Sequence, residues 1–141
     1  MKRTTWKLAI IGLLSALVMS ANAADRGKPV LSAAQTAVIS RQMATLKSLA
    51  DRRVAENWSE AKKVAELICR PAALPILKKK FKSADRVFLG TEARQSLTLE
   101  SNRQLTGSGE VRTAHGWKQF SFTCKLNPAT AKVAAFQTVL K

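Results

Sequence analysis

The sequence predicts an α+β domain in which N-terminal helices pack on one face of a small antiparallel sheet of about four or five strands, closed by one disulfide. Three observations carry this expectation. Apolar residues recur at three- and four-residue intervals from Val38 to Ile68, the spacing shifts towards two after Lys82, and the only two cysteines, Cys69 and Cys124, fall one in each half. Helices first and strands afterwards, with no alternation of the two, favour an antiparallel sheet covered by helices.

The chain begins with Lys2, Arg3 and Lys7 ahead of an apolar stretch, Leu8 to Met19, that is too short to span a bilayer comfortably. Ala21 and Ala23 then match the small-residue A-x-A pattern of a secretory signal, which places cleavage between Ala23 and Ala24. No cysteine follows that cut directly, so a lipid anchor is not expected. The predicted organisation is a signal peptide at 1–23, a flexible leader at 24–31 holding Gly27 and Pro29, and a single domain at 32–141. A bacterial periplasm is the expected location.

The signal holds three of the 24 basic residues and none of the nine acidic ones, leaving a mature formal charge of +12 over 118 residues. Such a charge concentrates polyanions at the surface, which outside the cytoplasm means anionic lipid, acidic glycan or an acidic protein; nucleic acid is not an expected partner there.

Ser32 opens the first helix, with Gln35 three residues on as the second half of a capping box. Val38, Ile39, Met43, Leu46, Leu49, Ala50 and Val54 form its apolar face, and Arg41, Lys47, Arg52 and Arg53 lie elsewhere. A break at Asn57 and Trp58 precedes a second N-cap at Ser59, and Ala61, Val64, Ala65 and Ile68 carry the stripe of a second helix. Pro71 is expected to end it, with Cys69 in its last turn. Pro71 to Phe81 reads as a further helical turn or two, weakened by Pro75. Glu56, Glu60 and Glu66, like Asp51, sit among Lys and Arg on these helices, as surface ion pairs would.

Strands are expected at Arg86 to Gly90, Gln95 to Glu100 and Gln104 to Thr113. The clearest is Trp117 to Leu126, where Phe120, Phe122, Cys124 and Leu126 share one face, with Ala114-His115-Gly116 as the preceding hairpin turn. Trp117, Phe120 and Phe122 alternate with polar residues as a half-buried strand requires, so core packing is expected of them. Asn127-Pro128 makes the next turn. Lys132 to Leu140 is a final strand or a helix, because its apolar residues do not alternate cleanly; Val133, Phe136 and Val139 favour the strand.

Cys69 and Cys124 are an even pair in an exported chain and are expected to be bonded. Metal ligation is not expected, since there is no C-x-x-C and His115 alone cannot complete a tetrahedral site. No G-x-S-x-G, H-E-x-x-H, P-loop or dinucleotide fingerprint occurs, so no catalytic residue and no cofactor is assigned. A hydrolase acting near His115 is the weakest of the readings carried.

The densest basic feature is Lys78-Lys79-Lys80-Phe81-Lys82 with Arg86 close behind, a composition suited to anionic head groups in peripheral contact with a membrane and equally to a solvated loop. The functional expectation is a non-enzymatic binding module whose basic surface meets an anionic envelope component. The alternative is an accessory structural subunit held by the open edge of its sheet.

From Cys69 onward the chain resembles the domain-of-unknown-function family 930, small exported proteins of alphaproteobacteria. The likeness rests on Cys69 and the apolar segment after it, Ala84-Asp85-Arg86-Val87, the Gly109 to Arg112 strand, Trp117, and Phe120-Ser121-Phe122-Thr123-Cys124, continued by Leu126, Asn127, Pro128, Val133 and Phe136. The resemblance implies export, the disulfide and a compact fold, and it implies no activity. This chain departs from the family in lacking Tyr and in placing Pro71 and Pro75 where the family runs as an unbroken helix.

Overall fold

The computed structural model describes residues 28–141 apart from 92 and 94. The predicted signal peptide and cleavage point, and most of the leader, lie outside the described residues. Five strands form one antiparallel sheet: β1 (Arg86–Leu89), β2 (Leu97–Ser101), β3 (Gln104–Thr113), β4 (Gly116–Asn127) and β5 (Lys132–Leu140). The order is β1-β3-β4-β5, and β2 pairs with β3 as well. β1 pairs with Gly109 to Arg112 and β2 with Gln104 to Gly107, so the two short strands share successive lengths of β3.

Period-two patterning sets which face is buried. Val87, Leu89, Leu99, Leu105, Val111, Phe120, Phe122, Cys124, Leu126 and Phe136 all lie in the core. Gly109 is required there by close approach: a Cβ at that position would stand 2.7 Å from the Phe120 ring and 2.7 Å from the Phe88 carbonyl oxygen. Gly116 closes the Ala114–His115 turn with φ +99, a conformation side chains rarely adopt.

The irregular apolar spacing of the last segment has a simple cause. Leu126 pairs with Val133 and Lys125 with Ala135, so Ala134 is an extra residue in a bulge, which puts Val133 and Phe136, three apart, against the same core. The segment is a strand, and Asn127 shapes the turn before it by accepting from the Ala129 amide at 2.9 Å.

The helical half differs from expectation twice. The first predicted helix is two, α1 (Ala33–Ala44) and α2 (Leu49–Glu56). Thr45 caps the end of α1, donating its hydroxyl to the Gln42 carbonyl at 2.7 Å, and the Ser48 hydroxyl accepts the Asp51 amide at 2.9 Å to start α2 afresh. As a result Leu49 and Val54, expected on the apolar face, are 60% and 59% exposed. The second difference is that Pro71 does not end its helix. α3 (Glu60–Val64), a π-helical turn (Ala65–Cys69) and α4 (Arg70–Lys80) follow without interruption. The Arg70 amide reaches back five residues to the Ala65 carbonyl. A proline ring in α-geometry collides with the carbonyl four residues earlier, and widening the turn just before Pro71 relieves that collision.

The capping box at Ser32 is present, and it also ties α1 to the sheet. The Ser32 hydroxyl donates to the Pro128 carbonyl at 2.6 Å, and Gln35, fully buried, donates to the Asn102 carbonyl at 2.6 Å. The Cys69–Cys124 disulfide joins the π-turn to β4 across the core, with the Cα atoms 6.3 Å apart and both residues fully buried. Among the described residues no helix is long and apolar enough to cross a membrane.

Candidate anion-binding site

α4 carries apolar residues on two faces. Ala73 and Leu77 are buried on the core side, while Pro71, Leu74 and Pro75, at the i, i+3, i+4 spacing of a second stripe, are half-buried or exposed. That second stripe and Val87 of β1 line an open groove of about 670 Å³. The next position on the stripe is Lys78, and it meets Arg86, Asp85, Arg70 and Glu66 at the groove's polar rim. Two of the five basic residues singled out by sequence are thus brought together.

The other three go elsewhere. Successive residues on a helix turn by about 100°, which spreads Lys78, Lys79 and Lys80 around the axis. Lys80 reaches β5, where its Nζ lies 3.3 Å from the Thr138 hydroxyl and 3.5 Å from the Thr138 carbonyl. Lys79 and Lys82 are exposed. The run Lys78 to Lys82 is therefore not one concave patch.

The rim's remaining charges belong to a ladder of side chains that the sequence did not disclose. On the helix, Lys62 lies over the Trp58 ring at 5.9 Å and pairs with Glu66 at 2.7 Å, and Glu66 in turn takes Arg70 at 2.6 Å. Arg70 covers the Phe88 ring at 5.5 Å, Phe88 stacks on Trp117 with centroids 5.5 Å apart, and Arg112 lies over Trp117 at 6.0 Å. The ladder ends at Asp85, which accepts from Arg112 twice, at 2.8 and 2.7 Å. The doubly bonded Arg112 guanidinium holds the Asp85 carboxyl below its ordinary value, and Asp85 raises Arg112 in return.

Trp117 is consequently 47% exposed and Phe88 39%, stacked on the open face, whereas Phe120 and Phe122 are in the core. Core packing is correct for the two phenylalanines and wrong for the tryptophan, whose odd position on β4 puts it across the sheet from Phe120.

Both carboxylates on the groove rim are therefore occupied, Glu66 by Lys62 and Arg70 and Asp85 by Arg112. Among the described residues Lys78 and Arg86 have no carboxylate within 4.0 Å. Neither makes a direct ion pair among the described residues, although Arg86 still lies in the field of the Asp85 carboxylate, and two such cations at the lip of an apolar groove are chemically suited to an anion. His115 stands exposed in the β3–β4 turn, its backbone amide donating to the Thr113 hydroxyl at 3.2 Å. The described residues contain no group of three or more His, Cys, Asp or Glu side chains that could hold a metal. No protein-family model, curated protein or solved structure matches the chain.

Proposed function

We propose that the protein is a periplasmic binding module that holds an anionic envelope component by its phosphate or carboxylate group, with Lys78 and Arg86 as the contacts. One observation carries this reading. The carboxylates beside these two cations make their direct ion pairs with other bases, which leaves Lys78 and Arg86 able to take a ligand anion, Arg86 feeling Asp85 only through space. The export signal read from 1–23 and the buried disulfide, which an oxidising compartment favours, support the location. The resemblance to family 930 agrees with export and supplies no ligand. Retention of the oxidised protein on vesicles rich in anionic phospholipid tests the proposal. Binding should fall as salt rises and should drop at least tenfold in the Lys78→Glu, Arg86→Glu double variant, by roughly 1 kcal/mol or more per reversed contact. Binding that survives both reversals, or no binding at low salt, removes the proposal.

A second reading, an accessory subunit joined through the sheet edge, is favoured by β5. That strand pairs only with β4, carries no charge from Val133 to Leu140, and leaves Val139 71% exposed. Crosslinking in cells should then recover one dominant partner whose yield does not change with ionic strength.

A further inference from the structure

We infer that the ligand of the α4–β1 groove is a single-chain amphiphile, an acyl or alkyl chain with one phosphate or carboxylate head, bound as a monomer. This rests on the anion-binding reading above and goes beyond it, because a bare head group needs only the two cations.

The second apolar stripe of α4 is the observation that demands more. Ala73 and Leu77 already meet the core's needs on this helix, yet Pro71, Leu74 and Pro75 continue an apolar surface that faces the groove. Leu74 also packs against the core, but Pro71 and Pro75 are exposed, and a helix side so exposed is ordinarily polar. Its shape is also specific. Two proline rings four residues apart are short and rigid, and they leave between α4 and Val87 an open channel of about 670 Å³, within the usual range of roughly 300–1,000 Å³ for small-ligand sites. The π-turn lets the helix pass Pro71, and α4 continues past Pro75 to Lys80, which keeps the stripe continuous up to Lys78.

The groove carries charge at both ends, but Glu66 and Arg70 at its Pro71 end are paired with each other, whereas the cations at the far end make no direct ion pair among the described residues. Pro71, Leu74 and Pro75 are apolar, Lys78 follows on the same side, and Arg86 stands at the β1 rim. A chain laid along the prolines would bring its terminal anion between Lys78 and Arg86. A glycan has no chain to fill the apolar floor, and a head group held in a bilayer meets the two cations but leaves that floor empty.

The probes are dodecyl phosphate, inorganic phosphate and dodecyl maltoside, each kept below micelle formation and titrated into the oxidised protein with amide chemical shifts as the readout. Each methylene removed from water tightens binding about fourfold, so three seated methylenes amount to roughly a 50-fold gain. Dodecyl phosphate should therefore bind at least that much tighter than inorganic phosphate, moving the amides of Leu74, Lys78, Arg86 and Val87. Dodecyl maltoside should bind at least tenfold more weakly than dodecyl phosphate. Pro75→Gln, an exposed groove position changed without adding a charge beside Lys78, should leave the thermal midpoint near that of the parent and weaken dodecyl phosphate severalfold while leaving inorganic phosphate unchanged.

Equal affinity for dodecyl phosphate and inorganic phosphate overturns the inference and leaves the anion-binding reading intact. Equal affinity for the phosphate and the maltoside overturns it too, as does indifference to Pro75→Gln. Failure of the anion-binding reading looks different, since then neither phosphate ligand responds to reversal of Lys78 and Arg86.

Discussion

Replacing both cysteines by alanine should cost this protein about 4 kcal/mol of stability, and the reason lies in the unfolded chain. The bond joins positions 55 residues apart, and opening a loop of that length releases denatured-state entropy of about 14 cal/mol/K, or about 4 kcal/mol at 25 °C. Both cysteines are fully buried between the π-turn and β4, so small cavities add to that figure. Domains of this size hold about 5–15 kcal/mol in total, which makes the variant marginal. Urea unfolding followed by circular dichroism measures the loss by linear extrapolation. The slope against urea should also steepen, because the uncrosslinked chain exposes more surface when it unfolds. A loss below about 1 kcal/mol with an unchanged slope would refute the loop-entropy argument. The expected loss also has a consequence for location, since a chain kept reduced would be only weakly folded before export.

Other outcomes follow from the same structure. Gly109→Ala drives a Cβ to 2.7 Å from the Phe120 ring and should destabilise by about 1–3 kcal/mol; a urea midpoint equal to the parent's would show that the ring can move aside. Gln35→Leu leaves the Asn102 carbonyl and the Ser32 amide without their side-chain partner and should cost about 1–3 kcal/mol, with hydrogen exchange quickening at the start of α1. Asp85 has its folded pKa lowered by Arg112, so whatever stability it adds is present above its ordinary value of 3.8 and is lost as pH falls through the lowered value. Asp85→Asn should therefore lower the urea midpoint slightly at neutral pH, and the gap to the parent should close in strong acid; an equal gap at both would place its cause outside the Arg112 pair.

Much of this fold could be read from local chemistry. The alternation of Phe120, Phe122, Cys124 and Leu126 identifies β4 and its buried face, Ser32 and Gln35 identify the start of α1, and the cysteine pairing needs only compartment and parity. Errors arose where local rules compete. Ser48 with Asp51 three residues on is a second capping signal inside a run of helical periodicity, and it was masked by the continuing apolar spacing of Leu46, Leu49 and Val54. Pro71 stops a regular α-helix, but one wide turn absorbs its ring, and periodicity has no signature for such a turn. The five basic residues do not share one face for a related reason: adjacency in sequence is dispersion around a helix axis. Two of them, Lys78 and Arg86, eight positions apart, line the groove, and Arg112 is placed beside Arg86 only by the β1–β3 register. The ladder from Trp58 to Asp85 crosses a helix and three strands, so no single window of sequence contains it.

On the proposed function, anionic ligands gather at one lip of this basic protein instead of spreading over it. Amide-resolved mapping of the oxidised protein on anionic bicelles tests that most directly. Perturbations confined to Leu74 through Val87, lost on reversal of Lys78 and Arg86, are expected. Changes distributed among Lys47, Lys125, Lys132 and the other outlying lysines would contradict it and leave the charge as a solvated surface.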